Sequence, residues 1–306
     1  LVNEQWAALE TGMTSSSPKV NDLAIFDGDL YVGGDFSQVS GQPAADLIAW
    51  DLDGGEWLDA PPGTANGEIK TLLVADKPLD PSKDALYVGG SFTGAGGVAM
   101  SFVGAFKNNS WSELGTGNIT DTIHNLAFYD NRVFVVGTNQ ALVSYTPASG
   151  TWSSSLGFKG TTLIASSTGL YLSGQQDVGA AVTDAMVQLT WDSSNQSFTA
   201  SALVGDNTGQ DMDAVANALL LVGNQLWIGG AMQTVGNVAV NGLAIWNEVS
   251  SEYETVPPNT NWGLARQGQV LANIEGDIYV GGDFSTAGFT VASGIARWTG
   301  SQWNAL

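Results

Sequence analysis

Residues 20–34 read Val20-Asn21-Asp22-Leu23-Ala24-Ile25-Phe26-Asp27-Gly28-Asp29-Leu30-Tyr31-Val32-Gly33-Gly34. Polar and apolar residues alternate around Leu23 as a half-buried strand requires. Asp27-Gly28 has the composition of a tight hairpin turn with positive φ, and the β-branched and aromatic run that follows reads as a second strand. Leu23 stands eleven residues before Gly34. The same interval returns at Leu126/Gly137, Leu163/Gly174, Leu219/Gly230 and Leu271/Gly282, and at Leu72/Gly90 once seven inserted residues, 76–82, are removed. Self-similarity at this spacing is the signature of a repeat protein.

Working outward, each unit carries a pair of aromatics after its glycine: Trp50 with Trp57, Phe106 with Trp111, Tyr145 with Trp152, Trp191 with Phe198, Trp246 with Tyr253 and Trp298 with Trp303. These fall on a third and a fourth strand, and four antiparallel strands make one propeller blade. The expected fold is therefore all-β: a β-propeller of four-stranded antiparallel blades, six in preference to seven with one incomplete. A single domain over 1–306 would hold units at about 20–59, 68–115, 121–157, 160–203, 213–256 and 268–306. Gln5-Trp6-Ala7-Ala8-Leu9 echoes Gln302-Trp303-Asn304-Ala305-Leu306, so residues 1–10 are expected to add an outer strand. The paired glycines, as at Gly33-Gly34, are expected to let a large ring lie against bare backbone.

Composition narrows the function. With 9 basic against 30 acidic side chains the net charge is −21, which repels a phosphate backbone and argues against nucleic acid as a partner. The chain has no cysteine, so disulfides, thiolate nucleophiles and cysteine metal sites are excluded. No apolar run approaches the length of a membrane span, and Leu1 is not an initiator methionine. The expectation is a processed or excised soluble piece, with any membrane anchor, such as the single span of a parent protein, outside it. Asn108, Asn118 and Asn195 each begin an Asn-X-Ser/Thr sequon beside an expected turn and are candidate glycosylation sites.

Gly33-Gly34 followed by Trp50 and Trp57 resembles the kelch repeat, and less fully so do Gly229-Gly230, Trp246 and Tyr253. Residues 31–36, 87–95 and 279–284, with the trailing Ile48-Ala49-Trp50 and Ile295-Ala296-Arg297-Trp298, resemble the repeats of the fungal cortical marker for cell polarity. That resemblance implies a cell-surface, secretory-route protein, single-pass as a whole, that acts as a landmark for bud or growth sites. Val136-Gly137 and Ser173-Gly174 depart from the double glycine. Similar Val-Gly-Gly-Asp-Phe repeats also occur in bacterial surface proteins.

Few residues invite catalysis. His124 is the only histidine, so a Ser-His-Asp triad could be built only around it, and no activated-serine motif accompanies it. One histidine and no cysteine exclude the copper chemistry of galactose-oxidase-type propellers. Arg132, Arg266 and Arg297 are the whole arginine supply, too few and too scattered for a sialidase-type carboxylate grip. Asp35 and Asp283 read as turn residues. Residues 51–56 hold oxygen ligands of the kind calcium takes but lack a full calcium-loop spacing, so an ordinary hairpin is expected there. No cofactor or metal is expected.

Chain direction within a blade puts the second-to-third connection on the same end as the blade-to-blade connection. The long segments 35–46, 175–185, 206–213, 231–242, 254–267 and 283–294 therefore share one end, where recognition loops would sit. Trp262, outside the repeating strand positions and close to Arg266, is the candidate binding residue there. The expectation is an extracellular binding or scaffold propeller whose partner is a cell-surface or membrane protein, or a cell-wall glycan. A secreted glycoside hydrolase or lyase using channel carboxylates is the alternative, and a structural module of a surface array is the third reading.

Overall fold

The computed structural model describes residues 8–14, 17–58, 65–75, 85–115, 119–174, 176–177, 182–183, 186–192, 197–203, 212–235, 238–256 and 263–306. All regular structure among them is β, and no helix is long and apolar enough to cross a membrane. The chain divides into two compact units, 1–157 and 158–306. Each unit holds three of the six four-stranded antiparallel blades, and in every blade strand order follows chain order. No seventh four-stranded sheet occurs among the described residues.

In the first unit, blade I is built from Lys19–Phe26, Asp29–Asp35, Leu47–Asp51 and Glu56–Trp57. Blade II comprises Ile69–Val74, Leu86–Gly90, Val103–Lys107 and Ser110–Glu113. Blade III comprises Ile123–Tyr129, Arg132–Gly137, Val143–Thr146 and Thr151–Trp152. In the second unit, blade IV is Thr162–Ala165, Leu170–Ser173, Met186–Asp192 and Ser197–Ala202. Blade V is Ala216–Val222, Gln225–Gly230, Leu243–Asn247 and Glu252–Thr255. Blade VI is Gln267–Ile274, Asp277–Asp283, Ile295–Trp298 and Trp303–Ala305.

The aromatic pairs read from the sequence are directly opposed residues of the third and fourth strands, from Trp50↔Trp57 to Trp298↔Trp303. Their ring centroids lie 5.1 Å apart in the first pair and 5.4 Å in the last, with the planes inclined, the geometry that the ring quadrupoles favour. Between blades the core mixes aliphatic and aromatic side chains. Phe26, Tyr31, Leu47 and Ala49 of blade I bury Ile69, Leu72, Leu86 and Val88 of blade II. Tyr87, Val103 and Ala105 do the same for Ile123, Leu126, Val133 and Val135 of blade III. In the second unit Tyr171 and Met186 meet Ala216, Leu226 and Ile228, while Trp227, Leu243 and Ile245 meet Ile278, Val280 and Trp298.

The double glycine has a different cause from the one expected. A Cβ on Gly33 would lie 2.6 Å from Ile69 Cγ2, and one on Gly89 would lie 2.7 Å from Ile123 Cγ2, so the first glycine admits a β-branched residue of the next blade. A Cβ on Gly34, Gly90, Gly137 or Gly282 would collide with the carbonyl oxygen of Lys19, Glu68, Thr122 or Gln267, at the start of the same blade's first strand. In blades I and II an aliphatic side chain of the next blade and a carbonyl are the nearest groups to the two positions, with the Phe36 ring also 3.0 Å from a Cβ on Gly34. In blade IV, Ser173 replaces the first glycine and the facing residue shrinks to Ala216, whose N–H donates to Ser173 Oγ at 2.9 Å.

Candidate functional site

Next to the carbonyls that press on the second glycine the first strand carries a β-bulge, and the bulge recurs. Pairing of the first and second strands slips between Val20 and Asp22, Ile69 and Thr71, Ile123 and Asn125, Ala216 and Ala218, and Gly268 and Val270. The residue left out of the ladder is Asn21, Lys70, His124, Asn217 or Gln269. All are polar, although they interrupt apolar strands. A bulge re-aims the side chain it carries, and here it presents a polar group at the long-segment end of five of the six blades.

In the first unit these groups form a row. Asn21 Nδ2 donates to Glu68 Oε1 at 3.0 Å and to the Ile69 carbonyl at 2.7 Å, and Lys70 Nζ pairs with Glu68 Oε2 at 2.8 Å. His124 Nε2 shares a hydrogen bond of 2.6 Å with Thr138 Oγ1. Burial works to raise the Glu68 carboxyl, but hydrogen bonds from Lys70 and Asn21 and the charges of Lys70 and Lys19 hold it below its ordinary range. Burial, aided by the Lys70 charge, pushes the His124 imidazole below its ordinary value, against the opposing pull of Asp121 and Glu68. Asp121 is held low by hydrogen bonds from Asn139 and the Thr122 N–H.

Several of the long segments fold into short ribbons. Residues 35–46 fold into Gln38–Val39 and Gln42–Pro43, a short antiparallel ribbon. Ribbons also form from Gly94–Ala95 with Val98–Ala99, Gln176–Asp177 with Val182–Thr183, Thr234–Val235 with Val238–Ala239, and Thr286–Ala287 with Thr290–Val291. In blades I, II, V and VI the base is closed identically. Asp46, Phe102, Gly242 or Gly294 adopts positive φ, donates its N–H to the carbonyl of Phe36, Phe92, Met232 or Phe284, and accepts from the second glycine. The side chains of those four acceptor residues are buried anchors.

The segment leading into each blade fastens the ribbon from the other side. Ser40 N donates to the Gly12 carbonyl while Met13–Thr14 pairs with Gln38–Val39. Asn66 Oδ1 accepts from Thr93 and Gly94 at 2.8 and 3.0 Å, and the Asp213 carboxylate accepts from Gln233 and Thr234. Leu264 bridges to Ala287. Blade III has no ribbon, and the buried Gln140 side chain accepts from the Thr120 N–H instead. In blade VI the tip faces solvent, with Phe289 75% and Val291 77% exposed.

Arg266 lies in such a leading segment and forms an exposed ion pair of 2.7 Å with Asp283, so its guanidinium already holds a carboxylate. Trp262 lies outside the described residues, as do Asn118, Asn195 and Trp6. Asn108 is exposed in a tight turn, where it and Asn109 both take positive φ, between the third and fourth strands of blade II. Asp51 Oδ1 accepts from the N–H groups of Asp53 and Gly54, so it is committed to its own turn. Burial raises the Asp22 and Asp46 carboxyls, yet each serves the backbone: Asp22 accepts from Leu23 and Leu72, Asp46 from Phe36. Sequence reading missed the ribbons and the bulge row. Gly96-Gly97 between Ala95 and Val98 is a hairpin signal that could have revealed a ribbon. A polar residue in the first strand, such as Asn21, Lys70 or Gln269, carries no comparable mark.

No family model matches the sequence, and no curated protein matches it. Solved structures do. The extracellular domain of a putative hybrid two-component system from B. thetaiotaomicron matches 97% of this chain at 12% identity, with a TM-score of 0.62. A second such extracellular domain from the same organism matches 94% at 10% identity and 0.58, and U3-55K matches 96% at 12% identity and 0.56. This chain spans 34% of each bacterial domain and 83% of U3-55K. The shared architecture with these chains identifies the fold as a six-bladed β-propeller.

Proposed function

We propose that this chain is a recognition propeller of a cell-surface protein, of the polarity-landmark type its repeats resemble, and that it binds a partner at the ribbon end of its blades without transforming it. The observation that carries this reading is the repeated fastening of the ribbons. Four blades spend main-chain hydrogen bonds on both sides of a ribbon, which pre-organises a binding surface and lowers the ordering cost of association. The two bacterial domains of this fold are extracellular, which agrees with a surface location.

The test is a binding screen against surface-protein extracts and wall glycans, with product analysis on every glycan. Two paired variants accompany it: Phe289→Ser with Val291→Ser at a ribbon, and Leu52→Ser with Val249→Ser at third-to-fourth-strand hairpins, where those side chains are also exposed. Saturable binding without product, weakened about tenfold or more by the first pair alone, is the expected result. Turnover of a glycan, or equal sensitivity to the hairpin pair, would overturn the reading.

A further inference from the structure

We infer that the bulge row of the first unit is a saccharide site, in which Glu68, Lys70, Asn21 and His124 take the hydroxyl groups of a sugar. The inference rests on recognition at the ribbon end and names the ligand class for it. Glu68 offers carboxylate acceptors, Asn21 and Lys70 offer donors on either side of it, and His124 with Thr138 extends the row on the neighbouring blade. Adjacent donors and acceptors of this kind match a vicinal diol, in which each hydroxyl both donates and accepts.

Charge separates this ligand from others. Lys19 and Lys70, two of only nine Lys and Arg residues, and the single histidine gather here, yet Glu68 and Asp121, with Asp46 close to Glu68, offset the lysines. A site so offset gives a polyanion no advantage, and the groups of the row are themselves polar. The groups are also held without being sealed: the Lys70 and Glu68 side chains retain 24% and 25% of their exposure. Their present hydrogen bonds fix the geometry that a sugar would meet, so few side chains need ordering on binding.

The experiment uses the full chain and soluble oligosaccharides of mannose, β-1,3-glucose, N-acetylglucosamine and galacturonate, followed by the His124 ring resonances and by calorimetry. A neutral oligosaccharide should shift the His124 signals saturably, and Glu68→Gln and Lys70→Met should each weaken it tenfold or more. Both variants are checked for an unchanged melting temperature, and His124→Asn serves as a third should either be unstable. Binding of a sugar that none of the three variants weakens overturns the inference while leaving recognition at the ribbons intact. Binding of the galacturonate oligomer alone, or of a surface protein with no sugar bound, also overturns it. If neither sugars nor surface proteins bind, both readings fall.

Discussion

At the scale of single residues, the contrast between Gly33 facing Ile69 and Ser173 facing Ala216 amounts to a natural exchange experiment. Gly33→Ser should destabilise the chain by about 1–3 kcal/mol, because its Cβ has nowhere to go beside Ile69. Joined to Ile69→Ala, the double variant should be more stable than the sum of the single losses, by roughly 1 kcal/mol or more in a urea-denaturation cycle. Strict additivity would show that the two positions do not share space. Ser173→Ala should cost about 1–3 kcal/mol, since it strands a buried N–H of Ala216. His124 offers a separate handle, read by NMR titration. Its midpoint should fall below the ordinary 6.5, and Lys70→Met should raise it. Below pH 6.5 the unfolded chain binds protons that the native imidazole resists, so this contribution to stability is present above that pH and lost on acidification. The difference in stability between wild type and His124→Asn should accordingly vary with pH between 7 and 5, and a constant difference would refute it.

At the scale of elements, strands were legible and their fastenings were not. Alternation around Leu23, the Asp27-Gly28 turn and the opposed pair Trp50 and Trp57 each announce themselves within a few residues, because strand period and turn chemistry are local. The bulges are not local. Asn21 leaves the ladder beside the point where the Lys19 carbonyl leaves no room for a Cβ on Gly34, thirteen residues later than Asn21, and that relation becomes visible only once both strands are paired. Phe102 was equally hidden: a phenylalanine with positive φ contradicts its own preference and is held there by bonds to Phe92 and Gly90. The candidate site was less legible than the fold. Arg266 is placed, but in an ion pair, and His124, weighed only as a triad member, sits at a bulge in the polar row. The ribbons can be tested directly. Asp213→Ala and Asn66→Ala should speed amide hydrogen exchange at Gln233 and Thr234, and at Thr93 and Gly94, by tenfold or more. Denaturation midpoints should move little, and exchange rates unchanged from wild type would mean that the fastening is idle.

At the scale of the whole molecule, the surplus of acidic groups governs long-range behaviour. A net charge of −21 keeps polyanions at a distance, so the chain should pass unretained through heparin and DNA columns at low salt and pH 7. Retention there would reveal a basic surface stronger than the balanced row of the first unit. The same charge makes copies repel one another, which favours dispersed molecules over aggregates. The ribbon bases carry a consequence of another kind. Their closure depends on main-chain groups and buried anchors, so exposed tip side chains such as those of Phe289 and Val291 contribute little to holding the fold. They are positions where a display library could be randomised, and directed evolution could install new specificities on this scaffold with little loss of expression.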